Sequence, residues 1–319
     1  MQSISRRGFV ISSSAAFAAF GLDGPLQFMT PAFAQKPDPS LLEKGVVKFR
    51  VGDIEVIQMY DGIWEKAHDP GFVKNASLDE VKAALKAGGQ TDEFVPITFT
   101  VTAIRRKGQL VLFDSGTGNQ VFPKAGLLAT KNMKAAGIDP AQVKTIVVTH
   151  FHPDHIIGLM AKDTNAPTFP NAEIIVPAVD YKYWTDPATT GGAAKRIQAV
   201  FPTWKNIRRI EGDKEVTPGV EAIATFGHTP GHTSYLVSSG RNQLIVLGDV
   251  SNIPALFVKN PSWHAVFDVD ADLAEANRRK MYDRVVADNV MITGYHFGLP
   301  GAGKIKKDGK GYAFVPIKS

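Results

Sequence analysis

The sequence predicts an α/β protein made of two β-sheets with helices packed outside them. Two observations carry this. Strand-like segments come in runs, with amphipathic helical segments between the runs, a pattern that suggests layered sheets. Residues of metal-ligand type recur just past strand-like segments, where a rigid sheet aims its loops outward. The 319 residues are 44% hydrophobic and 21% charged, which is ordinary globular composition, and no internal repeat appears.

The N-terminus reads as a leader rather than part of the fold. Arg6 and Arg7 precede a mildly apolar stretch from Gly8 to Leu22, and Ala32-Phe33-Ala34 supplies a small-residue cleavage pattern. We therefore expect a twin-arginine-type export signal over residues 1–34, cleavage before Gln35, and a single domain over 35–319. The expected location is outside the cytoplasm, periplasmic or secreted, with the twin-arginine export machinery as a partner. The apolar stretch is too short and too rich in Ser and Ala to serve as a stable membrane anchor.

Along the mature chain, Val46 to Tyr60 alternates apolar and polar residues around Gly52-Asp53, a hairpin signal. SLDEVKAALK, from Ser77 to Lys86, has a Ser cap, acids in its first turn and helical spacing. Ile97 to Ile104 and Gln109 to Phe113 read as strands joined by a turn at Arg105 to Gly108. Leu127 to Gly137 reads as a helix closed by glycine, and Ala141 to Lys144 as a short turn. Lys144 to Thr149 is a β-branched run, followed by a helix over Ile156 to Met160. Glu173 to Val176, Val220 to Thr225, Ser234 to Ser238 and Gln243 to Leu247 follow as strands. Ala271 to Val286 is a long amphipathic helix, and Met291 to Thr293 and Gly311 to Pro316 are the last strands.

Charge and cysteine content exclude several functions. The formal net charge is +5, but the basic residues are scattered, and Lys304-Ile305-Lys306-Lys307 reads as a solvated hairpin. No nucleic-acid partner is expected. With no cysteine there is no disulfide, no thiolate ligand and no thiol nucleophile. No GxSxG elbow is present either.

The stretch VVTHFHPDHIIGL, residues 147–159, places His150, His152, Asp154 and His155 within six residues of a chain that has eight histidines. Such a cluster gains nothing for a core. His150 and His152, two apart in an extended segment, point the same way, and Asp154 and His155 follow at the start of a helix. Imidazole and carboxylate together suit zinc, and also manganese, iron or cobalt. Further donors stand at other strand ends: His228 and His232 in ATFGHTPGHTSYLV, Asp249 in LIVLGDVSN and His296 in MITGYHFG.

These motifs resemble the metallo-β-lactamase fold superfamily, and within it the subgroup of methyl parathion hydrolase and its lactonase-like relatives. The carriers are LFDSGTG (112–118), AAGIDPAQV (135–143), THFHPDHIIGLM (149–160), FPNAEI (169–174), GHTPGHTSYLV (227–237), LGD (247–249) and GKGYAFVP (309–316). The resemblance implies an αββα sandwich of two mixed β-sheets flanked by helices. It implies a dinuclear centre, with His150, His152 and His228 on one metal, Asp154, His155 and His296 on the other, and Asp249 bridging. Asp154 and Asp249 are the carboxylates it places in the chemistry. Asp114 is expected to orient a ligand histidine, and His232 to support the site without ligating. Ile157 stands where the superfamily often has a glycine. His68 and His264 carry no motif.

Two divalent ions at such a site activate water to hydroxide at neutral pH and polarise the electrophile. That chemistry serves a lactone, an ester or a phosphotriester, so side chains beyond the ligands choose the small-molecule substrate. Phe122 and Trp184 are expected as aromatic pocket walls. Ala193 and Ala194 are expected where the relative carries a phenylalanine pair, which predicts lactones or aryl esters over aryl phosphotriesters. Three rivals remain. A di-iron redox protein of this fold would carry glutamate at position 152. A phosphodiesterase acting on nucleic acid is supported only by basic charge. A non-catalytic metal module does not need a complete donor set. A homodimer is left open.

Overall fold

The structure is a computed structural model and describes residues 39–318; the expected export segment lies outside them. The first sheet comprises β1 (Val46–Val51), β2 (Ile54–Lys66), β3 (Val95–Arg106), β4 (Gln109–Phe113), β5 (Thr145–Val147), β6 (Glu173–Pro177) and β7 (Ile207–Ile210), side by side in that order. The second comprises β8 (Glu215–Thr217), β9 (Val220–Ala224), β10 (Thr233–Ser239), β11 (Asn242–Val246), β12 (Met291–Thr293), β13 (Ala302–Asp308) and β14 (Gly311–Pro316), again in chain order. Pairings β4–β5, β5–β6, β6–β7 and β11–β12 are parallel and the others antiparallel, so both sheets are mixed. The helices are α1 (Pro39–Lys44), α2 (Leu78–Ala87), α3 (Met133–Ala136), α4 (Pro153–Ile156), α5 (Ala178–Thr185), α6 (Ala194–Val200) and α7 (Ala271–Ala287).

Side-chain alternation along the strands builds three apolar layers. Val111 and Phe113 of β4 point between the sheets, where they join Tyr235, Val237, Leu244 and Val246 of the second sheet. Leu112, between them in sequence, points to the outer face and packs with Val81 and Leu85 of α2 and Ile197 of α6. On the far side Leu236, Ile245 and Ile292 pack against Met281, Tyr282 and Val285 of α7. This is the expected αββα sandwich.

Local chemistry explains most boundaries. Ser77 caps α2 through a full capping box with Glu80. Lys107 and Gly108 both take positive φ, which a two-residue β3–β4 hairpin needs to match the strand twist. The helix expected over Leu127 to Gly137 is split. Residues Leu128–Asn132 form a wider π-type turn before α3. The Asp61 carboxylate holds the Leu128 N–H at 2.8 Å and the Asn132 side-chain amide reaches the Tyr60 carbonyl at 2.5 Å, two ties that pin this turn to β2. The helix expected from Ile156 instead begins at Pro153, whose fixed φ suits the first helical position. A 3-10 turn over Ile157–Leu159 follows it. The expected Lys304 hairpin is the β13–β14 pair.

Candidate metal centre

Parallel strands gather the candidate residues at one end of the sandwich. Asp114 follows β4, His150 to His155 follow β5, Asp249 follows β11 and His296 follows β12, while His228 and His232 lie in the β9–β10 connection. The first sheet thus supplies His150, His152, Asp154 and His155, and the second supplies His228, Asp249 and His296.

These seven side chains form two groups. One holds His150, His152, His228 and Asp249, the other Asp154, His155 and His296, with the donor atoms of each group within 4.8 Å of one another. In the first, His152 Nδ1 lies 3.1 Å from His150 Nε2 and 2.9 Å from His228 Nε2. In the second, Asp154 Oδ2 lies 3.4 Å from His155 Nε2 and 3.5 Å from His296 Nε2. Asp249 faces both groups. Its Oδ2 lies 3.3 Å from His228 Nε2 and 3.0 Å from His296 Nε2, and its Oδ1 lies 3.4 Å from His155 Nε2.

The outer ring nitrogens fix what the inner ones can do. His155 Nδ1 donates to Asp114 Oδ2 at 2.8 Å, His228 Nδ1 to Asp268 Oδ1 at 2.9 Å and His296 Nδ1 to the Thr98 carbonyl at 2.8 Å. Thr149 Oγ1 gives its proton to Asp114 and accepts from His150 Nδ1 at 3.0 Å. In neutral imidazoles, Nε2 of His150, His155, His228 and His296 is therefore a lone pair aimed inward. Lone pairs and carboxylate oxygens at these distances repel unless positive charge lies among them. Buried His155 Nε2 and Asp249 Oδ1 have no hydrogen-bond partner at all. Nitrogen and oxygen donors without sulfur fit divalent zinc, manganese, iron or cobalt.

Without metal, protons supply that charge. Burial opposes it, but Asp249, Asp154 and Asp114 hold the His155 pKa well above the usual histidine value. His228 is raised to about 9 against the same burial by Asp249 and Asp268. His152 is pushed down to about 3 by burial and by His228, and burial together with His155 holds His150 well below the ordinary value. His296 and His155 overcome burial to keep Asp249 well below the carboxylate range.

His232 is arranged differently. Its Nε2 accepts the Asp249 backbone N–H at 2.8 Å and its Nδ1 meets Thr225 Oγ1 at 2.8 Å, so both nitrogens are engaged outside the donor groups. Burial pushes its pKa to about 3, which keeps it a neutral acceptor. Asp114 accepts the Thr149 N–H and hydroxyl besides His155, and takes a left-handed backbone turn to do so. His68 and His264 lie elsewhere, on the Asp92 carbonyl and Glu275.

Asp268 was not foreseen. It joins His228 to a buried guanidinium, with Arg278 Nη2 at 3.2 Å. Arg278 also donates to the carbonyls of Val250, Pro261 and Trp263, so one side chain braces both the His228 partner and the loop after Asp249. Acidic residues crowd that segment (DVDAD), and no spacing marks Asp268 out.

Trp184 stands edge to face with His152 at 5.9 Å, its indole N–H buried without a partner. Phe122 is half-buried and sandwiched between Trp64 at 4.6 Å and Phe99 at 5.2 Å, and Phe99 meets the edge of His296. Trp64 and Phe99 were not foreseen. Ala194 requires a correction. As the first residue of α6 it turns inward, has no exposed surface and packs in the outer core of the first sheet, so its methyl is closed to a substrate. Ala193 keeps 9% exposure, and a Cβ on Gly192 would lie 3.6 Å from Trp184 and 3.7 Å from Pro153.

Fold and site together define an αββα sandwich with a cluster of histidine and aspartate donors, of a kind suited to divalent metal, where the two sheets meet. Residues 100–286 match the metallo-beta-lactamase superfamily model, and the chain belongs to that superfamily. An N-acyl homoserine lactonase of Bacillus cereus is 32% identical over 162 residues, which are 50% of this chain and 58% of that one. The lactonase AttM of Agrobacterium fabrum is 34% identical over 121 residues, 36% of this chain and 43% of AttM. The chain spans about half the length of the curated relatives it matches. Among solved structures, AidC, a dizinc quorum-quenching lactonase in complex with its product, superposes with a TM-score of 0.76 at 23% identity, covering 86% of this chain and 98% of AidC. The hydrolase AbOPH superposes with a TM-score of 0.75 at 25% identity, with the same coverage.

Proposed function

We propose that the chain is a metal-dependent hydrolase that opens lactone rings, with N-acyl homoserine lactones as its substrate class. The observation that carries the hydrolase reading is Asp249, one carboxylate that faces both donor groups, its Oδ2 lying 3.3 Å from His228 Nε2 of one and 3.0 Å from His296 Nε2 of the other. Two divalent ions, zinc first and manganese, iron or cobalt next, would be held by His150, His152 and His228 on one side and by Asp154, His155 and His296 on the other, with Asp249 between, and would supply Lewis acidity and an activated water. Histidine at position 152 fits this hydrolytic set rather than the redox variant. Asp154 is the more open carboxylate, at 15% exposure against 4% for Asp249, and we assign it the proton transfer to the departing ring oxygen. Trp184, Phe122 and Ala193 are assigned the apolar part of the substrate.

The lactone assignment is supported by the lactonase relatives. A second reading, an aryl ester or aryl phosphotriester, stays open because a hydrolytic two-metal centre serves those bonds equally well. A panel of an acyl homoserine lactone, an aryl ester, an aryl phosphotriester and a β-lactam, assayed with metal-loaded enzyme, separates them. The lactone should have the highest kcat/KM; a phosphotriester at the top would sink the lactone assignment. Asp249→Ala should abolish turnover of every substrate, and exposed Asp69→Ala should leave it unchanged.

A further inference from the structure

Asp180, in α5, is fully buried, and its carboxylate hydrogen-bonds groups other than the seven donor side chains. Its carboxylate is a junction between two loops. Oδ2 accepts the Phe151 N–H at 3.0 Å and the Thr229 hydroxyl at 2.9 Å, while Oδ1 accepts the Gly231 N–H at 2.6 Å. Phe151 is the residue between His150 and His152, and Thr229 follows His228. One carboxylate therefore ties together the backbones that carry all three histidines of one donor group. The approach is close enough to dictate sequence: a Cβ on Gly231 would lie 2.4 Å from the Asp180 nitrogen. The other group is braced by different residues, Asp114 behind His155, Thr98 behind His296 and the Tyr295 hydroxyl on the Asp154 carbonyl at 2.7 Å.

We infer that Asp180 is a positioning residue for the three-histidine half of the centre alone, setting the spacing of His150 and His152 against His228 and hence the metal affinity of that half. The inference rests on the two-metal reading given above. Three buried donors converge on this carboxylate, so an amide at the same place presents an N–H to at least one of them and spreads the two loops. Partners that orient metal ligands typically alter affinity about 10- to 100-fold when removed.

The test is chelator competition on the full chain with zinc, supplemented by the visible spectrum of the cobalt form. Wild type should hold two equivalents. Asp180→Asn should weaken one equivalent about 10- to 100-fold and leave the other in place, with the cobalt bands of a single site altered. A residue that only stabilises the fold would lower the melting temperature and leave both affinities alike. Equal weakening of both sites, or no change in either, overturns the inference. Less than one equivalent in wild type overturns the two-metal reading instead. If Asp180→Asn does not fold, Thr229→Val, which removes one of the three donors, decides between the same outcomes.

Discussion

Which nitrogen each histidine presents is decided by groups that never face the centre. Asp114, Asp268 and the Thr98 carbonyl each take one ring proton and so turn the other nitrogen inward. Asp268 carries a second duty, because Arg278 is 2% exposed and has no other carboxylate beside it among the described residues. Asp268→Ala should therefore do two things at once. Leaving a buried charge without its partner typically costs about 3–5 kcal/mol, to be read in chemical denaturation. Freeing the His228 ring should weaken metal binding roughly 10- to 100-fold, to be read by chelator competition. Asp268→Asn keeps an acceptor for His228 and should recover most of the second loss but not the first. An equal affinity loss in both variants would show that charge, not ring orientation, is what Asp268 contributes. The contrast with His150 to His155 shows what a sequence can reveal at this scale. Four donors within one turn of chain announce themselves, whereas Asp268 meets His228 from 40 residues away and is one acid among several.

At the scale of elements, legibility followed length and periodicity. The hairpin around Gly52-Asp53, the capped helix after Ser77 and the β-branched strand before His150 were readable because propensity and burial agree there. The four residues of β7 (IRRI) and the three of β8 (EVT) are too short and polar to show alternation, and α5 mixes apolar and polar residues around its whole circumference. The misplacement of Ala194 is of this kind: without α6 in view, nothing says which way its methyl turns. The substitution of Ile157 for a glycine has an account as well. Ile157 is buried in the outer core, while it is the next residue, Gly158, that packs on the loop after β4. A Cβ there would lie 2.0 Å from the Ser115 carbonyl oxygen. Gly158→Ala should push α4 away from that loop, destabilise by about 1–3 kcal/mol as overpacking does, and loosen the hold on His155, whose carbonyl accepts from both the backbone N–H and the hydroxyl of Ser115. Gly71→Ala, with its nearest atom at 3.4 Å, is the control. Matching melting curves for the two variants would refute this account.

For the whole molecule, the proposed centre would act as a cross-link as much as a reaction site. The first sheet contributes four of the seven donors and the second contributes three, so any ion held between them binds the two halves of the sandwich together. Elsewhere the sheets meet through apolar side chains and through the tie of Ser239 to Asp53 between the β10–β11 and β1–β2 turns. That inter-sheet core does not depend on a metal, so the metal-free protein should stay folded and lose stability rather than structure. The magnitude follows from linkage: an ion present at 1,000 times its dissociation constant stabilises the folded chain by about 4 kcal/mol. For a domain of this size each kcal/mol shifts the melting temperature by roughly 2–4 °C, so chelation should lower it by about 8–16 °C for each ion removed. His150→Ala should show a smaller difference between chelated and metal-loaded samples, because one group has lost a donor. Far-ultraviolet circular dichroism should be unchanged at 25 °C in all four samples. If removal of the metal leaves the melting temperature where it was, ions do not bridge the sheets, and the convergence of donors from both halves has to be explained by catalysis alone.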